Sequence, residues 1–203
     1  MKVSRRTLLA GLAGTAAGGA AVASGGFAVD QFFRRRRTVP PDSKVLIKEE
    51  GDQRIVESNG LPGHSTGDFP NPHDPFAIRA QQYRFALPMK PTVADRTTPL
   101  NMWLFGVAVN GVPFDPSGPF WNGDVAGGWQ FEVLAPAGAV ALGIDVNRGH
   151  TQGGGMYHYH GLPTGLLWTL RHHNPNQPML LLGYAADGFP IYGPEAPSVS
   201  EDL

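Results

Sequence analysis

The sequence predicts a mostly β protein: a single β-sandwich or barrel-like domain with one short helix and long Gly/Pro-rich loops. Three observations carry this expectation. Gly and Pro supply 27 and 19 of the 203 residues. They are spread along the whole chain, where they punctuate strands and turns and break helices. Hydrophobic residues make up 41%, enough for one core. The apolar runs are short and bounded by turn residues, the pattern of strands in a sandwich or barrel.

The chain opens on an address. "MKVSRRTLLAGLAGTAAGGAAVASGG" has a basic start, then an uncharged, weakly apolar stretch from Thr7 to Val29. Arg5 and Arg6 in "SRRTLL" fit a twin-arginine export signal, and "AVA" at 21–23 is a small-residue cleavage site. Residues 1–29 are therefore expected to be a signal segment read by the twin-arginine export machinery. The mature protein is then exported, to the periplasm or cell envelope. The run "FFRRRR" (32–37) would hold residues 7–37 at an anionic membrane face if the signal stays uncleaved. Residues 30–44, basic and then Pro-containing, read as a linker, and the domain is expected over 45–203.

Charge excludes one class of partner. Of 16 Lys+Arg, seven lie in positions 1–37, against one of the 17 Asp+Glu (Asp30). Residues 38–203 keep 9 basic and 16 acidic groups, a net of −7. Nucleic acid needs a basic face, so none is expected as a partner. Cysteine is absent, so any metal site must use His, carboxylate, Tyr or backbone oxygen.

Strands are expected in "QRIVES" (53–58), "FAIRAQQYRFAL" (76–87), "MWLFGVAVNGVPF" (102–114), "GWQFEVL" (128–134), "VALGIDV" (140–146), "MYHYHG" (156–161) and "PMLLLGYA" (178–185). Asn110-Gly111 is a hairpin turn between apolar residues. "PTGLLWTLRHH" (163–173) is the helix, with Thr164 as its cap and Leu166, Leu167 and Leu170 on one face. His172 and His173 then fall in its solvated last turn.

Side chains at i and i+2 of a strand share a face. "YHYH" thus puts His158 and His160 on one side and Tyr157 and Tyr159, expected in the core, on the other. Two imidazoles at this spacing can grip one metal ion through bonds of roughly 2.0–2.1 Å. The glycine run after His150 could fold it back to the same point. His64, His73 and Asp187 lie in other turn-rich stretches. The same alternation also suits a half-buried strand with structural, hydrogen-bonded histidines, and Asp187 in "ADGFP" is first of all a turn residue. No phosphate loop follows the glycines, and no G-x-S-x-G elbow is present.

"SNGLPGH" (58–64), "FPNP" (69–72), "VAVNGVPFDP" (107–116), "GIDVNRGHTQGGGMYHYHGLP" (143–163) and "GYAADGFPIYGP" (183–194) together resemble the YHYH domain family of exported bacterial proteins. The resemblance implies a β-rich exported domain and brings no reaction with it. Family members usually continue well past the last of these motifs, so the resemblance also implies either a chain cut short at its C-terminus or a short variant. His64, His150, His158 and His160 fall inside the motifs. The expected ligands are His150, His158 and His160, with His64 or Asp187 completing the site and Asp145 orienting a histidine from behind. Three imidazoles and an oxygen suit divalent Cu, Zn or Fe.

Two functions remain open at this level. One is metal binding, with hydrolysis, redox work and metal carriage undecided. The other is a non-catalytic cell-envelope β module with structural histidines. Convergence of the histidines on one point separates them.

Overall fold

The structure is a computed structural model and describes residues 42–100 and 104–194, with the side chain of Trp121 left aside. The expected signal segment and most of the expected linker lie outside the described residues, as do Met102 and Trp103 of one expected strand.

Two antiparallel-rich sheets form the described fold. The first has three strands in the order β1 (Val45–Glu50), β2 (Gln53–Ser58), β3 (Tyr83–Pro88). The second has six, in the order β6-β7-β5-β4-β8-β9. Its members are β4 (Gly106–Ala108), β5 (Pro113–Phe114), β6 (Gly149–Gln152), β7 (Met156–Tyr159), β8 (Leu181–Ala185) and β9 (Pro190–Tyr192). All neighbours are antiparallel except β5 and β7. The result is sandwich-like and not a closed barrel.

Several elements follow the expected chemistry. β2 spans "QRIVES" as read. The Asn110-Gly111 turn joins β4 to β5, with Gly111 at φ +80°, a left-handed conformation that glycine adopts without a Cβ penalty. The segment Asp42–Lys44, expected as linker, is tied to the end of β2: Asn59 bonds to Asp42 O and Lys44 N, and Ser43 Oγ donates to Leu61 O.

Other elements differ. The expected strand 140–146 is instead the end of a helix, α1 (Pro136–Ala141), followed by a turn. Pro136 sits at its first turn, where a missing N–H costs nothing, and "PAGAVA" carries no alternating face to bury. The domain therefore has two α-helices among the described residues, not one. The expected strand 128–134 makes only an isolated bridge, Phe120 to Gln130. Residues 76–82 join neither sheet as a strand; Arg79 N and Gln81 N donate instead to Gly155 O and Asn59 O. The expected helix is α2 (Thr164–His173). Thr164 does not cap it; its hydroxyl donates to Val146 O at 2.9 Å, and Pro163 occupies the cap position. His172 and His173 are exposed in its last turn, with His172 stacked on Trp168.

The six-stranded sheet has two differently covered faces. On one, Ala108, Val112, Phe114, Tyr157, Tyr159 and Leu166 form the main core, with Leu170 of α2 packed against them. On the other, Val107 meets Val56 and Leu87 of the three-stranded sheet, with Tyr184 beside them. Arg54 lies over the Tyr184 ring at 3.8 Å.

One buried carboxylate ties the core edge together. Asp145 accepts bonds from Gly67 N, Asn147 N, Asn147 Nδ2, Gly149 N and the Tyr157 hydroxyl, at 2.8–3.2 Å. Gly149 is required at this point: a Cβ there would stand 2.6 Å from the Tyr157 oxygen. Removing the carboxylate would leave several buried donors unmatched, each costing about 1–3 kcal/mol. Asp145→Ala is expected to lower unfolding stability by at least about 3 kcal/mol in a denaturant titration, while Asp187→Ala, in an exposed turn, stays within about 0.5 kcal/mol.

Candidate metal centre

The histidine cluster is a product of one hairpin. β6 and β7 pair with His150 directly opposite His158 and Thr151 opposite Tyr157. The three glycines make the turn, closed by Gly155 N on Gln152 O. His160 follows β7, held by its own N–H on Arg148 O at 2.7 Å. Alternation then sends Tyr157 and Tyr159 into the core, where they are 1% and 0% exposed. The same alternation sends His158 and His160 to the opposite face.

The three rings meet there. Their centroids are 4.7–5.1 Å apart, and one ring nitrogen from each lies within 4.8 Å of the others. His158 Nε2 and His160 Nε2 are 3.0 Å apart. Two nitrogens bound to one ion at about 2.0–2.1 Å would be separated by roughly 2.8–3.4 Å over bond angles from square to tetrahedral. The three histidines could therefore hold a metal with little movement.

The outer nitrogens prepare this. His150 Nδ1 faces Leu142 O at 2.9 Å, and His158 Nδ1 faces Met156 O at 3.3 Å. A carbonyl oxygen only accepts, so both Nδ1 atoms carry the proton and both Nε2 lone pairs are free to ligate. On His160 the nitrogen that faces His158 is Nε2, while Nδ1 is buried without a partner among the described residues.

Burial keeps all three rings neutral, the form that binds metal. It pulls His150 below the ordinary imidazole value, against the nearby carboxylate of Asp74. It takes His158 to about 4, helped by the charge of His150. It takes His160 to about 3, helped by its two neighbours. The 3.5 Å approach of Asp74 to His150 Nδ1 is accordingly not an ion pair at neutral pH. It is a carboxylate standing behind a neutral ring.

Two residues expected at the site sit elsewhere. His64 is buried on the tyrosine face, with Nε2 2.5 Å from the Tyr159 hydroxyl and Nδ1 on Ser65 O. Asp187 is exposed and accepts a bond from Phe189 N within its own turn. Asp145, expected behind a histidine, stands behind Tyr157 instead. That place belongs to Asp74, which is 2% exposed and also accepts from Thr151 N and Oγ1. Asp115, 8% exposed, is the second carboxylate whose charge acts on His150 and His158. His73, beside Asp74, is exposed.

A family described as "YHYH protein" matches residues 84–202, and the chain belongs to that family. The matched span contains His150, His158, His160, Asp115 and Asp187, and leaves out His64 and Asp74. No curated protein and no solved structure matches the chain.

The depressed histidines have a consequence for stability. An unfolded imidazole binds its proton near pH 6.5, whereas these rings resist protonation to lower pH. Below 6.5 the unfolded chain therefore binds more protons, and stability falls with pH through the window down to about 3. Chelator-treated protein is expected to show this slope in denaturant titrations from pH 7 to 4.5. The slope should shrink in a His158→Gln/His160→Gln variant; an unchanged slope would contradict the assigned burial of the rings.

Proposed function

We propose that this protein binds a divalent transition metal ion, Cu, Zn or Fe, through His150, His158 and His160. The observation that carries this is the convergence of three neutral imidazoles with free ring nitrogens on one point. A purely structural role would make the 3.0 Å contact between His158 Nε2 and His160 Nε2 a hydrogen bond, and it gives no reason for His150 to join the same point.

Three neutral ligands leave a fourth position for solvent or a small molecule. That position suits activation of a bound small molecule as well as metal carriage. We further infer that the protein works outside the cytoplasm after twin-arginine export. Support comes from Arg5 and Arg6 in "SRRTLL" and the weakly apolar run that follows. That route, which carries folded proteins, would let the site form before export.

Elemental analysis of the protein from its native host should find one equivalent of a single transition metal. The His158→Ala/His160→Ala variant should lose it while keeping a cooperative unfolding transition. Metal-free wild-type protein that regains none on reconstitution would sink this reading. Separately, an Arg5→Lys/Arg6→Lys variant should accumulate inside the cell in fractionation experiments. Export as efficient as wild type would rule out the twin-arginine route.

A further inference from the structure

The histidine face carries a carboxylate in addition to the ligands. β5 runs parallel to β7 with Phe114 opposite Tyr159. The ladder continues one residue further, where Asp115 N donates to Tyr159 O at 2.9 Å. Phe114 packs against Tyr159 on the core side, their rings 5.7 Å apart. Alternation turns the next side chain, Asp115, to the other side, which is the side of His158 and His160. The electrostatics agree. The charge of Asp115 acts on both His150 and His158; that of Asp145 acts on Tyr157 and Tyr159 and reaches His150 as well.

Asp115 is buried, and one of its oxygens accepts from Ser117 N at 2.9 Å. Among the described residues no Lys or Arg pairs with Asp115 or Asp74. Buried carboxylates without a cation are costly, and an ion held by the histidines would supply the missing positive charge. Asp115 is not in the group whose ligand atoms lie within 4.8 Å of one another.

We propose that Asp115 accepts a hydrogen bond from whatever occupies the fourth position of the metal. It thereby restricts that position to a neutral protic ligand, water or an alcohol, and turns away small anions. The inference rests on the metal reading above. Its physical basis is charge. A divalent ion faced by the carboxylates of Asp74 and Asp115 presents little net field to an anion, and an arriving anion meets Asp115 directly.

The test is an azide titration of the copper-loaded full chain, read by the azide-to-copper charge-transfer band. Asp115→Asn is the variant and Asp187→Asn the control. Asn keeps an oxygen for Ser117 N–H but loses the charge. Azide is expected to bind the Asp115→Asn protein at least about tenfold more tightly than wild type, with the control matching wild type. Equal affinities for wild type and Asp115→Asn overturn the inference.

A second measurement needs no variant. Electron–nuclear double resonance of copper-loaded wild type should show strongly coupled protons, distinct from the weakly coupled ring N–H protons of the histidines, that vanish in heavy water. Their absence overturns the inference even if the variant fails to fold. Failure of wild type to take up copper overturns the metal reading itself; azide bound tightly by loaded wild type overturns only the role of Asp115.

Discussion

The site depends on the two-residue alternation of one short strand. Met156–Tyr159 must bury its two tyrosines, and every alternate side chain is then forced to the other face. Tyr157 is held by Asp145, and Tyr159 by His64 and Asn110. These bonds reach the strand from behind and lock its register. A slip of one residue would turn His158 into the tyrosine core and both tyrosines to the histidine face. The cluster of imidazoles is thus specified by the core rather than by attraction among the rings, which burial disfavours as soon as one is charged.

The hairpin converts that constraint into a site. Antiparallel pairing puts His150 against His158, cross-strand neighbours that stand close enough to share a ligand. Parallel pairing with β5 brings Asp115 to the same face. Three adjacent strands therefore contribute the histidines and one carboxylate, and Asp74 braces the outer edge through Thr151. A site built on strands is held more rigidly than one built on loops. Three of the largest fully buried side chains, Tyr157, His158 and Tyr159, stand side by side on this one strand.

Much of this was legible in the residues. The face assignment of "YHYH" needed only the period of a strand, and Asn110-Gly111 read correctly as a hairpin turn. What stayed hidden was long-range. "GHTQ" has no apolar alternation of its own and becomes a strand only by pairing with β7. His64 shares the motifs but not the face, because motif membership along the chain says nothing of which side a loop approaches. Asp145 stands behind a tyrosine, and Asp74 takes the place behind a histidine, for the same reason. Each is positioned by bonds spanning more than seventy residues, 77 for Asp74 to Thr151 and 78 for Gly67 to Asp145. Residues 140–146 misled because β-branched residues in a short window suit either state, and Pro136 decided for helix.

The central claim is that one sheet face presents three imidazoles to a single ion. X-ray absorption at the edge of the bound metal tests it most directly. Three nitrogen scatterers at about 2.0–2.1 Å with the outer-shell signature of imidazole, and one further light atom, are the result the account requires. A shell of oxygens alone, or a single imidazole, would show that the metal binds elsewhere and that the convergence of His150, His158 and His160 serves only the fold.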